Sequence, residues 1–391
     1  MPTSTSAVTV RPVESRRDRQ RFIDVPYDFY PGRYPQWVPP LRRDVKDTLD
    51  PSSNAFFEHG DMQLFLAEDA SGAAVGRIAG IVNGMHLQKH EDATGFFGFF
   101  ECVEDYAVAE GLLDAAADWL RGQGRGLRRM RGPANPSLND TAGLLVDGFD
   151  RRPSVLMPYN PPYHEAFLER YGLERAMTMW AYYLHKKYAE YERLQRGVEL
   201  VKRRTPGLSL RTLDMNRLEE EVRAVREIYN DAWSENWGFV PMTDGELQQL
   251  ADELRQIVDP EIVFFVEHEG TPVGFSVALP DVNQALQHVP DGRLFPYGVP
   301  SGLTTLFLHM QYGVHKCRMP LMGVRKDYQG KGLDSMLVLA TIENGPANGY
   351  PACEMSWVLD TNDRLKNHVE SLGGVVDKEY AMFEAPISNG E

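Results

Sequence analysis

The segment Met322–Asp334 contains a glycine-rich turn, Tyr-Gln-Gly-Lys-Gly, between a predicted strand and a predicted helix. Glycines at 330 and 332 let backbone N–H groups approach a ligand closely. The free N–H groups and the dipole at the start of the following helix favour an anion such as a phosphate. The spacing therefore predicts a phosphate-binding turn over residues 324–334.

Two other phosphate-binding motifs do not fit this turn. A nucleoside-triphosphate P-loop has four residues between its first glycine and its Gly-Lys-Ser/Thr, whereas six residues separate Gly323 from Gly330. A dinucleotide-binding turn has three glycines in the pattern G-x-G-x-x-G, and Ser335 occupies the third position. The sequence therefore excludes both motifs here.

At these residues the sequence resembles the GNAT superfamily of acyl-CoA-dependent N-acyltransferases. Gln329-Gly-Lys-Gly332-Leu-Asp334 matches the first four positions of the family signature Gln/Arg-x-x-Gly-x-Gly/Ala. Asp334 departs from it, and its carboxylate either caps the helix or weakens cofactor binding. The resemblance implies acetyl-CoA or a longer acyl-CoA as co-substrate, with no metal. The cofactor-binding residues that it implies are Met322, Val324, Arg325, Gln329, Gly330, Lys331, Gly332, Leu333, Asp334 and Asn362.

Acyl transfer to an amine requires groups that manage a proton and a developing negative charge. Family members often use a carboxylate on the strand before the turn and a tyrosine on the last helix. Here Cys317–Met322 has no acid, and Val369 falls at the tyrosine position. The resemblance leaves Glu354, Asp360 and Tyr380 as catalytic candidates. The alternatives are a paired structural acid for Glu354 and core packing for Tyr380.

The elements that position the turn occur twice along the chain. Leu64–Glu68 and Val263–Glu267 each begin a predicted antiparallel hairpin with a glycine-containing turn. A further apolar strand and a helix follow each hairpin, with the helices predicted over Glu110–Arg121 and Leu333–Asn344. The first copy has Asp105–Glu110 at the turn position, without glycine. We therefore expect cofactor binding in the second copy.

A domain boundary is predicted where Pro206-Gly207 interrupts a charged helical pattern over His185–Arg204. Residues 1–187 then form a degenerate GNAT-like domain without the phosphate-binding turn, and residues 188–391 form the acyl-CoA-binding domain, with a linker helix over 188–207. The resemblance implies an α/β fold of two tandem GNAT-like domains. Each would have a mixed, mostly antiparallel sheet flanked by helices.

Several weaker signals have an ordinary structural explanation. His86 and His90 are four residues apart, but no second ligand set is visible, and a solvated helix face is favoured over a metal site. A basic cluster could contact phosphate or an anionic membrane, although a solvated helix end is favoured. Its members are Arg121, Arg125, Arg128, Arg129 and Arg131.

Long stretches rich in Pro, Gly and aromatic residues indicate lids, pocket walls or surface loops. These are Tyr27–Asn54 and Pro280–Ser301. Tyr159–Tyr163 and Asn236–Pro241 are candidate walls of an apolar pocket, with core packing as the alternative.

Composition limits the function classes. The 391 residues carry a net charge of −15, which argues against nucleic-acid binding, and 42% hydrophobic residues indicate an ordinary globular protein. Three dispersed cysteines fit a reducing cytoplasm better than a disulfide framework. The N-terminus has no apolar signal region, and no stretch of about 18 apolar residues predicts a membrane span, although peripheral contact is compatible with the sequence.

The resemblance implies an acyl-CoA-dependent N-acyltransferase acting on a small-molecule or lipid amine. One alternative is a long-chain N-acyltransferase with a lipid acceptor such as a sphingoid base, which the aromatic inserts favour. Another is a non-catalytic CoA-sensing or interaction protein, which the two missing catalytic residues favour. The sequence leaves the oligomeric state open.

Overall fold

A computed structural model describes residues 8–387, with the side chain of Leu254 outside the description. The β-strands in these residues are β1 Thr9–Pro12, β2 Gly60–Glu68, β3 Ala74–Asn83, β4 Thr94–Cys102, β5 Arg129–Gly132, β6 Ala134–Asn135, β7 Thr141–Ala142, β8 Leu144–Asp147, β9 Glu174–His185, β10 Leu208–Thr212, β11 Val263–His268, β12 Thr271–Pro280, β13 Lys316–Val324, β14 Ala352–Leu359 and β15 Val375–Pro386. The α-helices are α1 Arg16–Phe29, α2 Arg42–Thr48, α3 Gly84–His90, α4 Tyr106–Arg121, α5 Tyr163–Tyr171, α6 Tyr191–Arg204, α7 Leu218–Trp233, α8 Asp244–Leu254, α9 Asn283–Leu286, α10 Ser301–Tyr312, α11 Leu333–Ala347 and α12 Asp363–Ser371.

The N-terminal unit comprises the chain up to Thr178, Val289–Gly302 and the residues from Glu379 onward. Its sheet contains β1, β2, β3, β4 and β5 in that order, and the part of β15 from Glu379 pairs with β5. The pairing of β4 with β5 is parallel, and the other pairs in this order are antiparallel. The unit therefore contains a mixed, mostly antiparallel sheet that includes part of β15, more than 240 residues after β5 in the sequence.

The core of the N-terminal unit lies between this sheet and α4. Asp105 accepts a hydrogen bond from the Ala107 N–H at the start of α4, which explains why the helix begins earlier than the apolar periodicity predicts. One helix face is fully buried, including Leu112, Leu113 and Ala116. Burial of each large apolar side chain there contributes about 1.5–3 kcal/mol.

The C-terminal unit comprises Met179–His288 and Leu303–Lys378. Its sheet has the order β9, β14, β13, β12, β11, β10, where β9 contributes its residues from Met179 onward. Strands β13 and β14 are parallel, and the other pairs are antiparallel. Both predicted hairpins are therefore present, β2–β3 in one unit and β11–β12 in the other.

Helix α11 lies in the core of the C-terminal unit and begins at Leu333, as predicted. It is apolar around most of its circumference, and Leu333, Leu337 and Ala340 are among its buried residues. A helix that is apolar all round needs cover on more than one side. Helix α6 supplies part of that cover, because Leu194 and Val198 belong to the same apolar cluster.

Two predicted irregular segments contain more regular structure than expected. Tyr27–Asn54 includes the end of α1 and the whole of α2, and Pro280–Ser301 includes the short helix α9. The density of proline and aromatic residues in these segments predicts loops, yet α1 continues through Pro26 to Phe29, with Val25 and Tyr27 buried on either side of the proline. Tertiary packing outweighs the local preference in that helix. Within residues 8–387, no helix combines the length and the apolarity that crossing a membrane would need.

Candidate functional site

The predicted phosphate turn joins β13 to α11. Gly330 and Gly332 have φ of +79° and +86°, so both occupy the left-handed region that favours glycine. Gly332 is the N-cap residue of α11, and it provides no side-chain hydrogen bond to the helix start. The backbone N–H groups in the first turn of α11 are therefore available to a ligand that binds in front of the glycine turn.

The two glycines differ in the space around them. A Cβ added at Gly330 would meet nothing nearer than Arg364 Nη1, at 4.0 Å, so this side of the turn is open. A Cβ at Gly332 would lie 2.6 Å from Val201 Cγ2 of α6, so the turn is packed there against a neighbouring helix. An open face beside an uncapped helix start fits a pyrophosphate group.

The strands beside the turn part from each other. Parallel pairing of β13 with β14 covers Lys316–Met319 and Ala352–Met355. Beyond these pairs β13 continues to Val324 and β14 continues to Leu359. Edge groups of diverging strands are available to a ligand that enters between them.

The backbone before the turn is held by side chains. Trp233 Nε1 donates to the Met322 carbonyl at 3.2 Å, and Gln329 Nε2 donates to the Val324 carbonyl at 3.2 Å. The side chain of Gln329 therefore folds back onto the strand and fixes the turn. Trp233 has no counterpart among the sequence-based candidates, because a tryptophan at a helix end has no distinctive spacing.

Basic side chains surround the turn. Arg364 of α12 lies 3.4 Å from the carboxylate of Asp334, Lys331 Nζ lies 4.7 Å from the centre of the Tyr328 ring, and Arg325 pairs with Glu227 at 2.9 Å. Asp334 Oδ1 also accepts the Ser335 N–H at 3.0 Å, inside the first turn of α11. The carboxylate at the unusual signature position is therefore balanced by Arg364 and held by the helix start.

Asp334→Ala should tighten CoA binding by about two- to fivefold at low salt, because an acid leaves the turn and Arg364 is released. Asp363→Ala is the matched control, since Asp363 lies in the first turn of α12 and pairs with Lys366. Calorimetric titration with CoA at two salt concentrations measures both. Weaker binding in Asp334→Ala would show instead that this carboxylate supports the turn.

Glu354 lies on β14, completely buried, within a network of charged side chains. Its Oε2 accepts a hydrogen bond from Lys378 Nζ at 2.9 Å and lies 3.9 Å from Lys316 Nζ, and its Oε1 accepts from Ser356 Oγ at 3.0 Å. Arg318 Nε in turn donates to Ser356 Oγ at 2.8 Å. The carboxylate is thus held in one orientation by several donors.

Lys316 connects this network to Asp281, whose carboxylate lies 3.1 Å away and is 2% exposed. Burial alone would lower the pKa of Lys316, but Asp281 and Glu354 outweigh it and raise the pKa above the usual value. Asp377 likewise pairs with Lys378. The network therefore contains alternating positive and negative groups, which offsets part of the cost of burying them.

The other predicted site residues lie in different surroundings. Asp360 is half exposed and accepts hydrogen bonds from Lys366 and Trp180, which lower its pKa. Asn362 caps α12 by accepting the Leu365 N–H at 3.1 Å. Tyr380 is fully buried in the N-terminal unit, where its backbone pairs with Leu145.

A buried carboxyl in the N-terminal unit was not among the predicted site residues. Glu101, near the end of β4, accepts a hydrogen bond from Tyr30 Oη and lies 3.7 Å from Arg77. Burial raises the pKa of Glu101 to about 7, although both neighbours favour the charged form. A carboxyl with that pKa can exchange a proton near neutral pH.

The weaker signals have structural explanations. The predicted solvated helix face is wrong at His86, which is fully buried with its Nε2 3.0 Å from Asp92, and burial lowers the pKa of His86 to about 4. Within residues 8–387, no group of three or more His, Cys, Asp or Glu side chains could hold a metal ion. Several arginines of the basic cluster have carboxylate partners, including Arg125 with Asp61 and Arg131 with Glu384.

Known proteins resemble this chain over almost its whole length. The model of the Acetyltransferase (GNAT) family matches residues 222–373. Bacterial ceramide synthase of Caulobacter vibrioides is 39% identical over 391 residues, which cover 98% of this chain and 99% of that protein. Protein YghO of Escherichia coli is 32% identical over 383 residues, which cover 97% of this chain and 95% of that protein. A solved tandem GNAT protein from the clavulanic acid biosynthesis pathway has a TM-score of 0.58 at 12% identity, covering 98% of this chain and 100% of that one, a likeness of fold alone.

Proposed function

The chain belongs to the GNAT family and is an acyltransferase, and from this premise we propose that it transfers a long acyl chain from acyl-CoA to the amino group of a lipid such as a sphingoid base. The observation that carries the acyl-CoA part is the open turn at Gly330, in front of the uncapped start of α11. The lipid amine is supported by 39% identity over nearly the full length to a relative named as a ceramide synthase.

We assign the pyrophosphate to the N–H groups of the turn and the start of α11, with Lys331 and Arg364 as the neighbouring cations. Backbone groups of β13 near Met322 and Val324, and Asn362 at the start of α12, complete the proposed contacts. Bound acyl-CoA would supply an activated thioester, whose carbonyl carbon bonds to the amine nitrogen as the carbon–sulfur bond breaks. The chain has to accept one proton from that nitrogen and return one to the departing thiolate.

Glu354, Asp360 and Tyr380 remain the proposed proton-handling groups. Glu354 is favoured because it lies on β14, one residue before the pairing of that strand with β13 ends at Met355, and its Oε1 is hydrogen-bonded to Ser356. Lys316 and Lys378 would hold the carboxylate in place. Cys102, Cys317 and Cys353 are free thiols, which supports a reducing cytoplasm as the proposed compartment.

The expected substrate series follows from the burial of methylene groups. Each buried methylene contributes about 0.8 kcal/mol, so kcat/KM should rise by at least about tenfold from acetyl-CoA to a long-chain acyl-CoA, and likewise from a short alkyl amine to a sphingoid base. Thiol release measured with each donor and acceptor pair gives the series. Substrates should be kept below their micelle concentrations or presented in one fixed detergent.

The control for this series is hydrolysis of each acyl-CoA without amine, which should stay low for every chain length. A flat or falling series for both donor and acceptor would contradict the lipid assignment and favour a small-molecule acetyltransferase. The acyltransferase assignment itself does not depend on that outcome.

A further inference from the structure

Helix α10 exposes an apolar face that the proposed chemistry does not use. Its twelve residues include no Asp, Glu, Lys or Arg, and Gly302 is the one buried residue among them. Leu303 is 42% exposed, Phe307 64%, Leu308 50% and Tyr312 70%. An apolar helix is ordinarily buried, so an exposed apolar helix face indicates an interaction surface.

The exposed residues lie on one side of the helix. At about 100° per residue, Leu303, Phe307, Leu308 and Tyr312 fall within one half of the circumference. The exposed, uncharged side chains of Thr304 and Gln311 lie between them. The other half includes His309, whose ring stacks on His288 at 3.7 Å within the C-terminal unit. We define the α10 face as Leu303, Phe307, Leu308 and Tyr312.

The sequence around the α10 face is free of acids. The 35 residues from Gly292 to Lys326 include no Asp or Glu, although the chain has 56 acids in 391 residues and an average stretch of this length would carry about five. The five Lys and Arg residues of this stretch are buried or paired with acids from other parts of the chain, as Lys316 is with Asp281 and Arg325 with Glu227, so they add little net positive charge. Acidic groups near the face would repel anionic lipid headgroups, and this part of the chain has none.

The dimensions of the face argue against a second copy of the chain as its partner. Twelve helical residues span roughly 18 Å, and one side of a helix is roughly 10 Å wide. That area is far below the roughly 800 Å² per partner that a stable protein interface buries. A bilayer needs no matching partner surface, so a small exposed apolar face is enough to insert at its headgroup boundary.

We propose that the α10 face docks the protein on the surface of a phospholipid bilayer. This inference rests on the proposed function, because a long-chain amine and its N-acylated product both reside in the membrane. The uncharged face places Phe307 and Leu308 at the headgroup boundary, and Tyr312 has an aromatic ring and a hydroxyl suited to that depth. Docking there gives the enzyme access to an acceptor that is scarce in water.

The test is sedimentation with vesicles of phosphatidylcholine and phosphatidylglycerol. The double variant Phe307→Glu/Leu308→Glu should lower the vesicle partition coefficient by at least about tenfold, since two charges replace two apolar side chains. Leu210→Glu/Met215→Glu is the matched control, because both side chains are partly exposed at 38% and 39% and the charge change is equal. The control should partition like the unmodified protein.

Activity on a lipid amine in detergent micelles separates this inference from the proposed function. Both double variants should keep the unmodified kcat/KM in micelles, and only Phe307→Glu/Leu308→Glu should lose rate on amine embedded in vesicles. No vesicle binding by the unmodified protein, or equal loss in both double variants, would overturn the docking surface. If Phe307→Glu/Leu308→Glu changes the oligomeric state of the protein in solution but leaves vesicle binding intact, the α10 face would be assigned to an interface with a second copy of the chain. Vesicle binding without turnover in micelles would leave docking standing and remove the lipid-amine function.

Discussion

Gly330→Asp should abolish detectable CoA binding, with at least about a 100-fold rise in Kd, while the protein stays folded. The new carboxylate would lie on the open side of the turn, where the pyrophosphate is proposed to bind, and it would both repel that group and compete for Arg364, at a cost of roughly a few kcal/mol. No protein atom other than Arg364 Nη1, at 4.0 Å, lies near the added Cβ, so the loss would not come from a clash. Calorimetric titration with CoA measures the change.

Gly349→Asp is the matched control for this prediction. Gly349 has φ of +92° and open space around its Cβ, so the same substitution introduces the same kind of backbone strain away from the turn. Both variants should therefore lose about 1–2 kcal/mol of unfolding free energy, and Gly349→Asp should keep its CoA affinity. Equal affinities in the two variants would place the cofactor elsewhere.

Glu354→Gln should lower kcat by at least about 100-fold while CoA affinity stays within about twofold. The same substitution removes a charge from the buried network, so the free energy of unfolding should also fall by about 3 kcal/mol. Lys378 and Lys316 keep Asp377 and Asp281 as partners, which limits that loss. Kinetics and chemical denaturation are both needed to interpret the variant.

The double variant Glu354→Gln/Lys378→Met separates the two effects. Replacing the ammonium by an apolar side chain of similar size should recover part of the stability, because no buried cation is left short of a partner, while Asp377 loses its pairing with Lys378 at a position that is 18% exposed. Low activity in the stabilised double variant would support Glu354 as the proton acceptor, and recovered activity would assign it a structural role. A larger loss in Glu101→Gln, Asp360→Asn or Tyr380→Phe would move the proton transfer to that residue.

Local sequence was sufficient to predict the glycine turn and the start of the helix that follows it. The left-handed conformations at Gly330 and Gly332 and the helix start at Leu333 are properties of adjacent residues. The β11–β12 hairpin is local as well, since a glycine turn joins neighbouring strands. Such features depend on backbone preferences that a short segment carries by itself.

The charge network around Glu354 depends on long-range pairing and was not predicted as a whole. Lys316 and Lys378 come from β13 and β15, 38 residues before and 24 residues after Glu354 in the chain. An isolated lysine in an apolar strand ordinarily indicates an exposed position. The sequence offered a paired structural acid as one interpretation of Glu354, but gave no means of naming its partners.

Asp334 shows how a local departure can be balanced from a distance. The sequence left two outcomes open, a helix cap or weakened cofactor binding. In the structure Asp334 accepts the Ser335 N–H and pairs with Arg364, which is 30 residues later on α12. The sequence also did not predict that α10 is exposed. The helix contains no charged residue that would mark a solvent-facing side.

The passage of β15 into the N-terminal unit has a consequence for how the protein is made. Ala381, Phe383 and Ala385 belong to the core of that unit, and Phe383–Pro386 pairs with β5. A ribosome synthesises about 250 residues between β5 and this strand. The N-terminal unit therefore keeps an incomplete core until Phe383–Pro386 has been translated, while the C-terminal unit has all its strands once Lys378 has emerged. A fragment that stops at residue 187 would lack this strand, so the order of synthesis and the order of completion run in opposite directions.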